Sequence, residues 1–269
     1  MGRKKTPTRG PYLLDVTFLR DRINTPDRYP FSIPVVQHLS HLSFHPNVTF
    51  FVGENGSGKS TLIEALAVAC DLNPEGGSVN FNFSTRATHS QLENYLRVAR
   101  RGLPPDSFFL RAESFYNVAT EIDRLGANKS YGSVSLHQQS HGESFFTLFE
   151  ERFGFRQPDR NPVPGLYFLD EPEAALSPNR QLQFLSLVHD YCNEGSQFII
   201  ATHSPIIMAY PESLIYVLDA TGIHPTPYMQ TEHYVVTKRF LEHPKRMLRI
   251  LMADEISTGD SQIQHDVRR

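Results

Sequence analysis

A chain of 269 residues is long enough to bury a substantial core, as one large α/β domain or two small ones, and its 39% apolar and 20% charged content is that of an ordinary globular protein. A formal net charge of −3 argues against a dedicated nucleic-acid binder, although it leaves room for a local basic patch. Cys70 and Cys192 both sit in apolar helical patterns, as buried thiols of a reducing compartment do, and no apolar run is long enough to cross a bilayer, so a cytoplasmic protein without an integral membrane segment is expected.

The first ten residues, "MGRKKTPTRG", read as a solvated basic tail. Tyr12 to Arg20 alternates apolar and polar residues as an edge strand does, and "RYPFSIP" (Arg28 to Pro34) reads as Pro-punctuated extended chain. "VTFFVGE" (Val48 to Glu54) is a continuous apolar run of the buried-strand type that feeds a Gly-rich turn. "STLIEALAVAC" then has helical spacing, with Leu62, Ala65, Leu66 and Ala69 on one face. "THSQLENYLRVAR" (Thr88 to Arg100) reads as a helix and "SFFLRAE" (Ser107 to Glu113) as a strand. Helices are also expected over Phe115 to Gly126 and Glu143 to Gly154, both closed by glycine. "LYFLDEPE" (Leu166 to Glu173) is a buried strand, and Ser177 onward a capped amphipathic helix with Pro178 in its first turn. "SQFIIATHS" and "SLIYVLD" are further strands, and the chain from about Thr231 is helical until a polar tail. Short apolar strands alternating with helices imply a mostly parallel sheet covered on both faces.

"GENGSGKST", Gly53 to Thr61, fits the pattern G-x-x-x-x-G-K-[ST] after a buried strand and at the start of a helix. Gly53, Gly56 and Gly58 let the backbone curl so that N–H groups along Glu54, Asn55 and Ser57 face phosphate oxygens, and the helix N-terminus adds a favourable dipole. Lys59 would reach the β- and γ-phosphates and Ser60 would hold Mg²⁺. The apolar run Leu166 to Leu169 delivers Asp170 to the carboxyl end of its strand, where open α/β sheets bind ligands, and Asp170 would share the Mg²⁺ shell. Glu171, one step on, points elsewhere and can act as general base for the attacking water. His203, at the end of the following strand, can reach the γ-phosphate and that water.

The ordered set "GENGSGKST", "SHGES", "LDEPEAALSP" and "ATHSP" resembles the ABC-type ATPase class of P-loop proteins, which includes transporter motors and the SMC and RecF-like repair ATPases. From Pro11 to Ala253 the chain is also similar to a family of small stand-alone bacterial predicted ATPases. The resemblance implies one ABC-type ATPase domain over 1–269, with a small helical lid near 114–154, an antiparallel β edge and flexible tails near 1–10 and 255–269. It also implies ATP and Mg²⁺ as cofactors, and head-to-tail dimers on ATP binding in which Ser140, Gly142 and Glu143 of one copy face the γ-phosphate at the other copy's Lys59. Glu113 stands where most of the class has a glutamine, and a carboxylate there can reach Mg²⁺ or its water. Tyr29 or Phe31 could stack on adenine as an upstream aromatic does in transporters. Arg86 has no assigned role.

Two functions stay open on sequence grounds: an ATP-hydrolysing dimer that drives or licenses a separate effector, or the nucleotide-binding subunit of a transporter. A repair- or defence-associated ATPase is a variant of the first. The short interval from Glu113 to Ser140 and the absence of a long heptad run favour a bare head without transporter docking groove or coiled-coil arms.

Overall fold

The computed structural model describes residues 9–74, 76–78, 90–111 and 163–252. The expected lid, Arg86, Glu113 and the signature residues Ser140, Gly142 and Glu143 lie outside the described residues, as do most of both tails. The chain falls into two compact units, one ending at Tyr228 and a second beginning at Met229.

The first unit is built on a seven-stranded sheet in the order β10-β9-β3-β8-β7-β6-β4. Its five central strands are β9 (Leu214–Asp219), β3 (Val48–Val52), β8 (Gln197–Ala201), β7 (Gly165–Asp170) and β6 (Asp106–Arg111), all parallel to their neighbours. The edges are antiparallel, β10 (Gly222–Pro225) on β9 and β4 (Gly77–Ser78) on β6. Every residue of β3, β7 and β8 is buried, which is why these strands read as unbroken apolar runs instead of alternating ones. Alternation survives in the direction of burial. Phe50, Tyr167, Leu169, Phe198 and Ile200 pack on one face against Phe184, Leu187 and Val188 of a helix, Pro178–Asn193. Phe51, Phe168 and Ile199 pack on the other face against Leu62, Ile63 and Leu66 of α2 (Lys59–Ala69), which follows the short α1 (Pro34–His38). The helix Pro178–Asn193, α3, starts as expected: the Ser177 hydroxyl accepts a hydrogen bond from Arg180 N at 3.4 Å, with proline next to the cap.

A second sheet, β2-β1-β5, is antiparallel throughout: β1 (Leu13–Phe18) pairs with β2 (His41–Ser43) and β5 (Leu96–Arg100). This corrects one expectation. Within the expected helix Thr88 to Arg100, Gln91–Tyr95 is a 3₁₀ turn and Leu96–Arg100 a strand. The helical spacing existed only when both pieces were read together. In "LRVAR" Leu96 is buried and Arg97 exposed, and antiparallel pairing with β1 makes the segment a strand. Arg28 to Pro34 is also a set of turns and not extended chain, with Ser32 N donating to Arg28 O at 3.1 Å and Ile33 N to Pro30 O at 3.2 Å. The turn carries Phe31 inward against Tyr95, with ring centroids 4.8 Å apart.

Gln197 locks the two sheets together. Its side-chain oxygen accepts from Tyr12 N and Leu13 N, both at 2.9 Å, while its amide nitrogen donates to Leu13 O at 2.8 Å and His45 O at 3.0 Å. The residue is fully buried, so these four bonds are made out of reach of water. Gln197→Leu strands them out of water, each orphaned group costing about 1–3 kcal/mol. A loss of about 3 kcal/mol or more in urea unfolding is expected, and a loss below about 1 kcal/mol would show that the backbone finds other partners.

The second unit begins at Met229. Thr231, whose hydroxyl accepts from Tyr234 N at 3.4 Å, caps α4 (Glu232–Glu242), and Pro244 opens α5 (Pro244–Met252). The expected single helical stretch is therefore two helices, divided where a proline cannot continue the first. Among the described residues no helix is long and apolar enough to cross a membrane.

Candidate functional site

Parallel strands deliver their carboxyl ends to one edge of the sheet. Val52 of β3, Ala201 of β8 and Asp170 of β7 end side by side, with Asp170 opposite Ala201 in the ladder, Glu171 N donating to Ala201 O at 2.9 Å and Thr202 N to Phe51 O at 3.1 Å. The loop after β3 crosses this edge. Gly53 is required there because a Cβ on it would stand 2.3 Å from Leu218 O, and Gly58 adopts φ +97° immediately before α2, a conformation that side chains disfavour. Glu54, Asn55 and Gly56 lie on the exposed outer side of the loop, and the Ser57 Oγ beneath it is buried without a hydrogen-bond partner among the described residues.

Lys59 is 4% exposed and its Nζ donates to the loop's own carbonyls, Gly53 O and Glu54 O, each at 3.0 Å. Burial pulls the ammonium's pKa down, and the Glu171, Asp170 and Glu173 carboxylates push it back up. Ser60 Oγ donates to Asp170 Oδ1 at 3.1 Å. Thr61 Oγ1 lies 3.3 Å from the Tyr29 hydroxyl.

Beyond Asp170, Glu171 turns into the left-handed region, φ 53° and ψ 53°, a conformation that costs a non-glycine residue about 1 kcal/mol or more. The kink aims its carboxylate at the next strand end, where Glu171 Oε1 lies 3.3 Å from His203 Nε2. Glu173 sits behind this pair, its Oε1 accepting from His203 N at 2.5 Å. Burial raises the Glu173 carboxyl above the usual range, while the His203 and Thr202 hydrogen bonds hold it down in part. Ser204, next in the same loop, donates its hydroxyl to Gln181 Oε1 of α3 at 2.5 Å, so the segment carrying His203 is anchored on both sides.

Lys59, Ser60, Asp170, Glu171 and His203, singled out across almost 150 residues of sequence, thus share one strand-end edge. A cleft of about 520 Å³ opens over Lys59, Ser60 and Glu171, lined also by the loop, Thr61, Ile33 and Tyr29. Of the two aromatics considered for adenine, Tyr29 is 62% exposed at the cleft, whereas Phe31 is 8% exposed and packs in the core. Glu173, which sequence reasoning ranked with His203 as a substitute base, lies behind His203; Arg111 and Glu64, which form an ion pair beside Asp170, were missed. Only the polar end of the β6 run hinted at Arg111.

The residues fit a nucleotide triphosphate and its cation. A buried ammonium bonded, among the described residues, only to its own loop, glycine-permitted backbone turned over the cleft and a Ser57 hydroxyl without a partner among those residues suit phosphate oxygens. A hydroxyl paired with one carboxylate suits Mg²⁺, which keeps waters and phosphates as its remaining ligands. Accordingly, among the described residues no cluster of three or more His, Cys, Asp or Glu side chains forms a protein-only metal cage.

Comparison with known proteins agrees. Residues 32–152 match a family model described as "AAA domain", and residues 153–209 match one described as "AAA domain, putative AbiEii toxin, Type IV TA system". Vitamin B12 import ATP-binding protein BtuD of Yersinia enterocolitica is 27% identical over 189 residues, covering 65% of this chain and 70% of that protein. Hemin import ATP-binding protein HmuV of Bartonella henselae is 24% identical over 196 residues, covering 65% and 72%. Among solved structures, cbiO1 from Clostridium perfringens, part of the ABC transporter complex cbiONQ, superposes with a TM-score of 0.47 at 19% identity, covering 90% of this chain and 99% of that one. The chain is an ATPase that carries a P-loop domain of the AAA/ABC type.

Proposed function

We propose that this chain hydrolyses MgATP in composite sites shared by two copies packed head to tail, and that the ATP-bound dimer drives or licenses a separate effector protein in the cytoplasm. Lys59 binds the β- and γ-phosphates and Tyr29 stacks on adenine. Ser60 and Asp170 hold Mg²⁺, with Glu113 reaching the metal or its water. Glu171 takes the proton of the attacking water, and His203 orients that water and the γ-phosphate. Ser140, Gly142 and Glu143 of the second copy close the site through a hydroxyl, a close backbone approach and a helix N-terminus. The observation that carries the reading is the 3.3 Å approach of His203 to Glu171 at adjacent strand ends, beside Asp170 and Lys59. A lone phosphate-binding loop needs neither group; a hydrolytic site needs both a base and a group at the leaving phosphate.

A mixing experiment tests the shared site. Ser140→Arg and Lys59→Ala are each expected to be nearly inactive. Their heterodimer has one intact site and one doubly broken site, so equal mixing with random exchange returns about a quarter of the wild-type activity. Confirmed heterodimers without recovery mean either that the site is not shared or that both sites must fire together, and a Ser140→Arg protein active on its own contradicts the composite site.

The names of the relatives, import ATP-binding proteins, favour a second reading in which the dimer is the nucleotide-binding subunit of a transporter. Capture of the Glu171→Gln protein in its ATP-bound form distinguishes the two: co-purification of an integral membrane subunit supports transport, and of a non-membrane protein the effector.

A further inference from the structure

The loops that carry Glu171 and His203 are tied to each other twice. Glu171 N donates to Ala201 O at 2.9 Å where β7 and β8 end, and two residues on the Glu173 carboxyl reaches back to accept from His203 N at 2.5 Å. The same carboxyl takes a hydrogen bond from the Thr202 side chain, so it holds consecutive residues of the segment that presents His203. Glu173 is itself held. It lies in the 3₁₀ turn Pro172–Ala175, where Ala174 N donates to Glu171 O at 3.1 Å and Leu176 N to Glu173 O at 2.9 Å. That turn starts from the left-handed Glu171, so one bonded corner of chain carries Glu171 and, two positions later, the residue that holds the histidine. Glu173 Oε2 is buried without a hydrogen-bond partner among the described residues, and burial raises the carboxyl's pKa. What Glu173 supplies to the segment is therefore an acceptor more than a charge.

We propose that Glu173 is a positioning residue for ATP hydrolysis: its carboxyl oxygen fixes the backbone at His203 and so sets where the imidazole stands relative to Glu171 and the reacting phosphate. This role rests on the reading of His203 as the group that orients the γ-phosphate and its water. The hold acts on the backbone N–H, so it operates whatever else the imidazole touches. The Ser204–Gln181 bond steadies the same segment one residue on, and it keeps the loop in place when Glu173 is replaced. A buried N–H stripped of its acceptor turns toward another. A shift on the order of 1 Å in a reacting group then costs up to about a hundredfold in rate. Lys59 and Ser60 take none of their hydrogen bonds from Glu173, so the loss falls on kcat and not on KM. Glu173 does lie in the electrostatic field of Lys59. Glutamine and methionine both remove that carboxyl, and only glutamine keeps an acceptor, so comparing the two separates the hydrogen bond from the charge.

The experiment measures kcat and KM for MgATP as phosphate release by the full chain, with thermal unfolding of each variant as the fold control. Glu173→Met fills the space of the carboxyl without an acceptor and is expected to lower kcat by about tenfold or more, with KM within about threefold of wild type. Glu173→Gln keeps the acceptor oxygen and is expected to hold kcat within about threefold. In a His203→Ala background the group that Glu173 serves is gone, so adding Glu173→Met is expected to change kcat by less than about twofold. Glu173→Ala replaces the methionine variant if that one does not fold, and failure of both to fold makes the bond a requirement of the fold and overturns the positioning role. Three other results overturn it while His203→Ala is itself impaired: Glu173→Met at the wild-type rate, Glu173→Gln as impaired as Glu173→Met, or the full loss repeated in the His203→Ala background. Wild-type hydrolysis by His203→Ala overturns the reading of His203 and the role of Glu173 together.

Discussion

Glu171→Gln is expected to lower ATP hydrolysis by about a hundredfold or more while leaving ATP binding intact, the scale on which a general base contributes. Glutamine matches glutamate in shape and can still face His203, which lies 3.3 Å from Glu171 Oε1, but its amide cannot take a proton from water. Among the described residues Glu171 is hydrogen-bonded to neither Lys59 nor Ser60, so the nucleotide's own anchors survive the change. With binding preserved and turnover blocked, the ATP-bound dimer should accumulate and elute early in size-exclusion chromatography with MgATP. Phosphate release at the wild-type rate would move the base elsewhere. Glu173 would then be a poor successor, since it is buried, holds His203 N and keeps its proton to higher pH than an ordinary carboxylate. His203 would be next.

The site was legible in the sequence where chemistry restricts residue choice, and illegible where only three-dimensional neighbours decide. Gly53, Gly58, Lys59 and Ser60 could be named because a backbone wrapped on phosphate tolerates few alternatives, and the apolar run before Asp170 announced a buried strand ending at the ligand edge. The left-handed turn of Glu171 was not announced. It follows from a strand end that must present two adjacent carboxylates in different directions. Nor could Arg111 be tied to Asp170, because that pairing depends on the β6–β7 register, which no local pattern encodes. Among the fold elements, β3, β7 and β8 were readable as unbroken apolar runs, whereas β5 was absorbed into an expected helix. Its five residues carry too few periods to tell 3.6 from 2, and the outcome was set by the partner strand β1. The choice between Tyr29 and Phe31 was likewise tertiary: Tyr95 offers Phe31 a ring to pack on, and Tyr29 is left at the cleft.

The cleft over Lys59 is expected to bind the phosphates of ATP. The Lys59 ammonium is nearly inaccessible, bonded to Gly53 O and Glu54 O and set among the Asp170, Glu171 and Glu173 carboxylates. A triphosphate offers that ammonium charged acceptors in place of neutral carbonyls, and charge-assisted hydrogen bonds are about twice as strong as neutral ones. Lys59→Ala removes the loop's one mobile cation and leaves three carboxylates facing the phosphates, so repulsion adds to the lost bonds. The fold should persist, since the bonds given up join Lys59 only to its own loop. The direct measurement is a calorimetric titration of wild type and Lys59→Ala with MgATP at matched thermal stability. A drop in affinity of about a hundredfold or more, or no measurable binding, is predicted. An affinity equal to that of the wild type would contradict the account.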